Sequence, residues 1–129
     1  MRAVDTNVLV RLLTRDDAKQ VRAADAFVEK GAWVSVLALV EAMWVLDAVY
    51  GRGPGEIATA VEMLLNHEHL ALQEPEAVSA ALGVFRRRPA LGFSDCLLLE
   101  LARKAGHLPL GTFDRNLGRV EGAVRLHAG

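Results

Sequence analysis

Four acids, Asp5, Glu41, Asp95 and Asp114, stand apart from the other acidic residues of the 129-residue chain by where they fall. Asp5 ends a short strand-like stretch, Arg2 to Val4. Asp114 follows a second such stretch, Leu108 to Phe113, and Asp95 opens a predicted helix. In an α/β sheet, ligands collect at the carboxyl ends of the strands, where Asp5 and Asp114 fall. Glu41 differs: it is the one charge in the 14 residues from Trp33 to Leu46. A helix this apolar is expected to be buried over most of its circumference. A carboxylate inside it is costly unless it is paired or binds a metal. No Lys or Arg lies near it in sequence.

Each acid alone has a plain structural reading. Asp5 suits an Asx-type turn, Asp95 and Asp114 suit helix N-caps, and Glu41 suits a solvent edge or an Arg partner. Taken together they point elsewhere. Carboxylates gathered without cationic partners repel, and a hard divalent cation makes such a cluster stable.

The elements that must position these acids alternate between strand and helix. Arg2–Val4 reads as a strand and Val8–Leu13 as a short helix. Asp16-Asp17 starts a helix with Val21, Ala24, Phe27 and Val28 at helical spacing, closed by Gly31. Trp33–Ser35 reads as a strand. Leu37–Tyr50 reads as a long helix, stopped by the Gly-Arg-Gly-Pro-Gly run at 51–55. A helix over 56–66 and a strand over His69–Leu72 follow. Pro75 suits the first turn of a helix to Arg87. Ser94 is expected to cap a helix from Asp95 to Lys104, ended by Gly106. Leu108–Phe113 and Val124–Leu126 read as strands, with a short helix capped by Asp114 between them. The order implies a single α/β domain over 1–129, a three-layer sandwich whose short, mainly parallel sheet is flanked by helices.

Composition narrows the class further. Hydrophobic residues make up 52% and charged residues 24%, which implies a packed core. The net charge of −1 excludes a strongly basic nucleic-acid-coating protein. The charge is uneven: residues 1–85 hold 7 basic and 12 acidic side chains, residues 86–129 hold 8 basic and 4 acidic. The single cysteine, Cys96, excludes an internal disulfide. No run reaches the roughly 18 apolar residues of a membrane span, and the N-terminus has no signal-peptide core. The expected compartment is the cytoplasm.

Four motifs give the chain a family likeness: V-D-T-N-V-L-V at 4–10, S-V-L-A-L-V-E at 35–41, F-S-D-C-L-L-L-E-L-A at 93–102 and T-F-D-R-N-L at 112–117. In this order the chain resembles a PIN-domain protein, and specifically the VapC-type toxin of bacterial toxin–antitoxin pairs. The resemblance implies a metal-dependent endoribonuclease using Mg²⁺ or Mn²⁺. It matches Asp5, Glu41 and Asp95 to the acids that hold the metal, and Asp114 to a fourth, more variable acid. Asn116 stands where some relatives carry a further acid. Thr6, Asn7, Ser35, Thr112 and Asn116 correspond to polar companions of the site. The implied products carry 5′-phosphate and 3′-hydroxyl ends, and the implied partners are an RNA substrate, a small antitoxin protein and a second copy of the chain. The consecutive apolar residues Ala42 to Leu46 agree with a face covered by another chain.

Other classes fit less well. An aspartate-nucleophile phosphatase wants Asp-x-Asp after the first strand, but position 7 is Asn. A phosphoacceptor domain wants an acidic pair before the first helix and a late Lys after a strand, and neither is present. A non-catalytic module has no need of the acids at all four motif positions. His67 and His69 lack zinc-site spacing. Cys96 reads as a core thiol, Trp33 and Trp44 as core or dimer contacts, and Arg86-Arg87-Arg88 as cations ending a helix or meeting phosphate.

Overall fold

A computed structural model describes residues 1–129, and the chain falls into two units, Met1–Pro75 and Glu76–Gly129. The first unit is built on three parallel strands in the order β1 (Arg2–Ala3), β2 (Ala32–Val34), β3 (Leu70–Leu72). Ala3 lies opposite Trp33, and Trp33 opposite Ala71. Parallel neighbours need crossovers, and helices supply them. Between β1 and β2 run α1 (Thr6–Thr14) and α2 (Ala18–Val28). Between β2 and β3 run α3 (Val36–Ala48) and α4 (Pro54–Asn66). Helix starts follow the side-chain chemistry. Asp17 caps α2 by accepting the Gln20 N–H, and Pro54 opens α4. Leu9, Val34, Leu39, Leu46, Val61 and Leu64 are fully buried and form the apolar core of this unit.

A polar knot fixes α1 to its neighbours at its C-terminal end. Arg11 donates to Gln20 Oε1 at 2.6 Å, Asp16 Oδ1 at 2.8 Å and the Tyr50 hydroxyl at 3.0 Å. Tyr50 in turn donates to Asp16 Oδ2 at 2.9 Å. The hydroxyls of Thr14 and Tyr50 hold the Asp16 carboxyl below its usual pKa.

The second unit carries α5 (Pro75–Arg87), whose first residue closes the preceding unit, and α6 (Phe93–Ala105). Two further parallel strands follow, β4 (Leu110–Thr112) and β5 (Ala123–Arg125). Two 3₁₀ turns, Pro89–Leu91 and Leu117–Arg119, join these elements. Phe85 meets Phe93 edge to face at 6.0 Å. Gly106, at φ +82°, ends α6 in the left-handed conformation that glycine adopts without strain.

The fold is α/β with only parallel pairing, as expected, but its strands form two sheets, of three and two strands. Ser94 does not cap α6. The helix begins at Phe93, because Gly92 at φ +80° turns the chain two residues earlier than the expected cap. Trp33 and Trp44 are not core residues: they are 39% and 65% exposed.

Candidate functional site

In the first unit the site begins where β1 ends. Asp5 has extended backbone and caps α1, its Oδ1 accepting the Val8 N–H at 3.1 Å. The bond to the Val8 N–H is the local one that the Asx-type reading of Asp5 expects, made here as a helix cap, and it leaves Oδ2 outside that bond. Thr6, the first residue of α1, donates its hydroxyl to Glu41 Oε2 at 2.9 Å. That bond sets the Glu41 carboxylate beside the residue that follows Asp5. Asn7 and Val8 lie with Asp5 along a recess of about 410 Å³, whose far wall is Gln20, Ala23 and Phe27 of α2.

Glu41 is not buried, which corrects the expectation from its apolar surroundings. Ala38, Leu39, Ala42, Met43 and Leu46 occupy the inner face of α3. Leu37, Glu41, Trp44 and Ala48 recur at helical spacing on its exposed face. A run of uncharged residues measures how little charge a helix carries, not how many of its faces are covered. Ser35 caps α3 by accepting the Ala38 N–H at 3.0 Å, so it acts on Glu41 through the helix that carries it. Gln73 assists, its Oε1 accepting the Val36 N–H at 2.9 Å. Sequence reasoning missed Gln73. Its signal was position: it follows β3 as Asp5 comes after β1 and Ser35 after β2.

In the second unit Asp95 sits in the first turn of α6, inside the helix rather than at its cap. Its carboxyl is pushed above the usual carboxylate pKa, first by burial and then by the charge of Asp114. Asp114 follows β4. Its Oδ1 accepts the Leu117 N–H at 2.8 Å, and its own N–H donates to Thr112 Oγ1 at 3.0 Å. Asn116 is exposed and opens the 3₁₀ turn without a side-chain capping bond. Cys96, beside Asp95, is buried, and its thiol is pushed up to about 11, chiefly by burial. A thiol held protonated in this way is a core group and not a nucleophile.

Within neither unit do three His, Cys, Asp or Glu side chains gather closely enough to hold a metal by themselves. The motif acids lie two in each unit, Asp5 and Glu41 in the first, Asp95 and Asp114 in the second. The histidines do not form a rival centre. His67 Nδ1 accepts the His69 N–H at 3.1 Å, and His69 Nε2 lies 3.1 Å from Glu68 Oε1. Both contacts occupy nitrogens a metal would need. Arg86, Arg87 and Arg88 are exposed at the end of α5.

The donors offered by the motif residues are carboxylate oxygens with hydroxyl companions, and neither thiolate nor imidazole is among them. Such a set fits a hard ion of the Mg²⁺ or Mn²⁺ kind. Burial, and after it the charge of Asp114, lifts Asp95, and a cation would relieve both.

Comparison with known families accords with this chemistry. Residues 2–123 match the PIN domain, a family whose members are generally nucleases that depend on Mg²⁺ or Mn²⁺ and bind RNA. The chain belongs to the PIN domain family, and the match runs through both units. No curated protein and no solved structure matches the chain significantly. No helix is long and apolar enough to cross a membrane.

Proposed function

We propose that the chain is a metal-dependent endoribonuclease and the toxin of a toxin–antitoxin pair, acting in the cytoplasm as one PIN domain over 1–129. Asp5, Glu41, Asp95 and Asp114 would hold Mg²⁺ or Mn²⁺. The observation that carries this reading is the match to a nuclease family over residues 2–123 in a chain whose Asp5 and Asp114 follow strands, whose Asp95 lies in the first turn of α6 and whose Glu41 is held by Thr6. When bound, a divalent cation supplies an activated water and neutralises charge on the phosphoryl oxygens. The protein's own groups prepare for it. Thr6 holds one Glu41 oxygen, Val8 holds one Asp5 oxygen, and Thr112 and Leu117 fix the turn that presents Asp114. Asn7, Ser35 and Asn116 act as positioning residues. The RNA products would carry 5′-phosphate and 3′-hydroxyl ends.

The exposed face of α3 supports the partner part of this reading. Leu37 and Trp44 are 67% and 65% exposed on either side of Glu41, an arrangement that suits cover by a second copy of the chain or by a small antitoxin. An antitoxin arginine placed among the carboxylates would block the site by charge-assisted hydrogen bonds.

The test is cleavage of single-stranded RNA by purified protein. Mg²⁺ or Mn²⁺ should support it and chelator should abolish it. Asp5→Asn and Asp95→Asn should each lower the rate by more than ~100-fold with circular dichroism unchanged, as expected for groups whose charge the reacting centre needs. Undiminished cleavage by Asp5→Asn would overturn the assignment. Light scattering at micromolar concentration tests the dimer, which a monomer mass would refute. Co-purification with the product of the adjacent gene tests the antitoxin.

A further inference from the structure

Phe113 stands between Thr112 and Asp114 with 67% of its surface exposed. Its neighbours are anchored. Leu126 N–H donates to the Thr112 carbonyl at 2.7 Å, and Gly118 N–H donates to the Asp114 carbonyl at 3.0 Å. Asp114 Oδ1 and Thr112 Oγ1 accept the further bonds described above. The ring therefore projects from a fixed turn at the carboxyl end of a parallel strand. By strand alternation Phe113 shares a sheet face with Gly111, Val124 and Leu126, and Val124 on β5 and Leu126 just after it are both exposed. The Leu126 side chain lies over Gly111, which makes a low apolar floor beside the ring.

Charge identifies the occupant. Arg115 and Arg119 are exposed on the turn that starts at Asp114, directly after the ring, whereas Arg125 pairs with Thr112 and belongs to the opposite sheet face. An exposed aromatic ring followed by a turn with two exposed arginines complements a ligand with flat faces and negative charge. Single-stranded RNA has both, because every base offers a π-face and every linkage a phosphate. We propose that Phe113 is a stacking platform for a base of the RNA substrate, next to the phosphate served by Asp114, with Arg115 on the backbone. This rests on the ribonuclease reading and adds to it a residue that positions substrate.

The experiment uses the full chain carrying Asp5→Asn, with Mg²⁺ present, and fluorescence anisotropy of a labelled single-stranded RNA octamer. Phe113→Ala should weaken binding by roughly 5- to 150-fold, the range for loss of one stacked base. Phe113→Leu should weaken it similarly, since leucine keeps the apolar surface but has no π-face. Phe113→Trp should bind as tightly as the parent, and RNA should quench the emission of the new indole above the change seen in the parent. Leucine binding as tightly as phenylalanine, or no added quenching in the Trp variant, would overturn the proposal. So would a Phe113→Ala protein that binds RNA normally but has lost a dimer by light scattering, which would give this face to a second copy. If the protein with Asp5 intact cuts no RNA and the Asp5→Asn chain binds none, the ribonuclease reading fails and takes this inference with it. If RNA is cut and only the Phe113 comparisons fail, the reading stands without the platform.

Discussion

Glu41 in the first unit receives the Thr6 hydroxyl at 2.9 Å, and Asp5 receives the Val8 N–H at 3.1 Å. Asp95 in the second unit is instead partly buried, with Asp114 as its charged neighbour, and its pKa rises. One pair is held by donors from its own helices. In the other, Asp114 accepts the Leu117 N–H, while the Asp95 charge is opposed first by burial and then by Asp114. The first is preset in geometry, and the second has a charge imbalance that a cation would remove. The two pairs should therefore respond differently to the same perturbations.

The sharpest test of the difference is Thr6→Val, which removes the donor and keeps the shape. Orienting groups of this kind are typically worth about 10–100-fold in metal affinity or activity, and we expect a loss of RNA cleavage in that range. Thr6→Ser should restore most of it. An unaffected Thr6→Val enzyme would mean that Glu41 needs no positioning and that the contrast is empty.

A second test addresses the scaffolds. A Cβ added at Gly118 would lie 2.7 Å from Arg125 Cβ, so β5 or the turn before it must shift. Gly118→Ala should cost about 1–3 kcal/mol in urea unfolding, the usual penalty of overpacking. Gly55, in the first turn of α4, has nothing within 4 Å of such a Cβ. Gly55→Ala should stabilise by up to ~1 kcal/mol through the unfolded chain. Equal effects would remove the claim that the Asp114 turn is close-packed.

The smallest effect concerns charge. Asp95 binds its proton more tightly folded than unfolded, so its contribution to stability is full below pH 3.8 and is lost as pH rises through its raised folded pKa. Asp95→Asn should therefore raise the melting temperature of metal-free protein at neutral pH, and the gain should fade towards pH 3.8. Added Mg²⁺ should stabilise the protein with Asp95 intact and not the variant. A variant that melts lower at pH 7 without metal would show that the half-buried charge of Asp95 is no cost to the metal-free fold.

Much of this was legible before any coordinates, because local chemistry writes helix ends into the chain. Asp17, Pro75 and Gly106 bound helices where their side chains or backbone freedom demand it. The motif acids stand out by type and position, and Asp95 is raised by burial and then by the charge of Asp114. Three features were not legible. Glu41 looked buried because its neighbours are apolar, but exposure is decided by which face of α3 packs, and sequence records no partner for that face. The start of α6 lies two residues before the one Ser94 predicts, because Ser94 is a good cap, while the positive φ of Gly92 is set by the turn before it. Gln73 was silent because it acts on Val36, 37 residues away in sequence.

The polar knot of Arg11, Asp16, Gln20 and Tyr50 has a consequence for motion. Helix α1 is tied twice to α3 and the residues just after it, by Thr6 to Glu41 in the middle of α3 and by Arg11 to Tyr50, two residues past its end. One tie would act as a pivot. Two ties, a turn or more apart along each axis, oppose both swivelling and sliding. The carboxylates of the first unit then ride on a single stiff beam, and the backbone amides of the two helices should exchange with solvent through one shared opening rather than two.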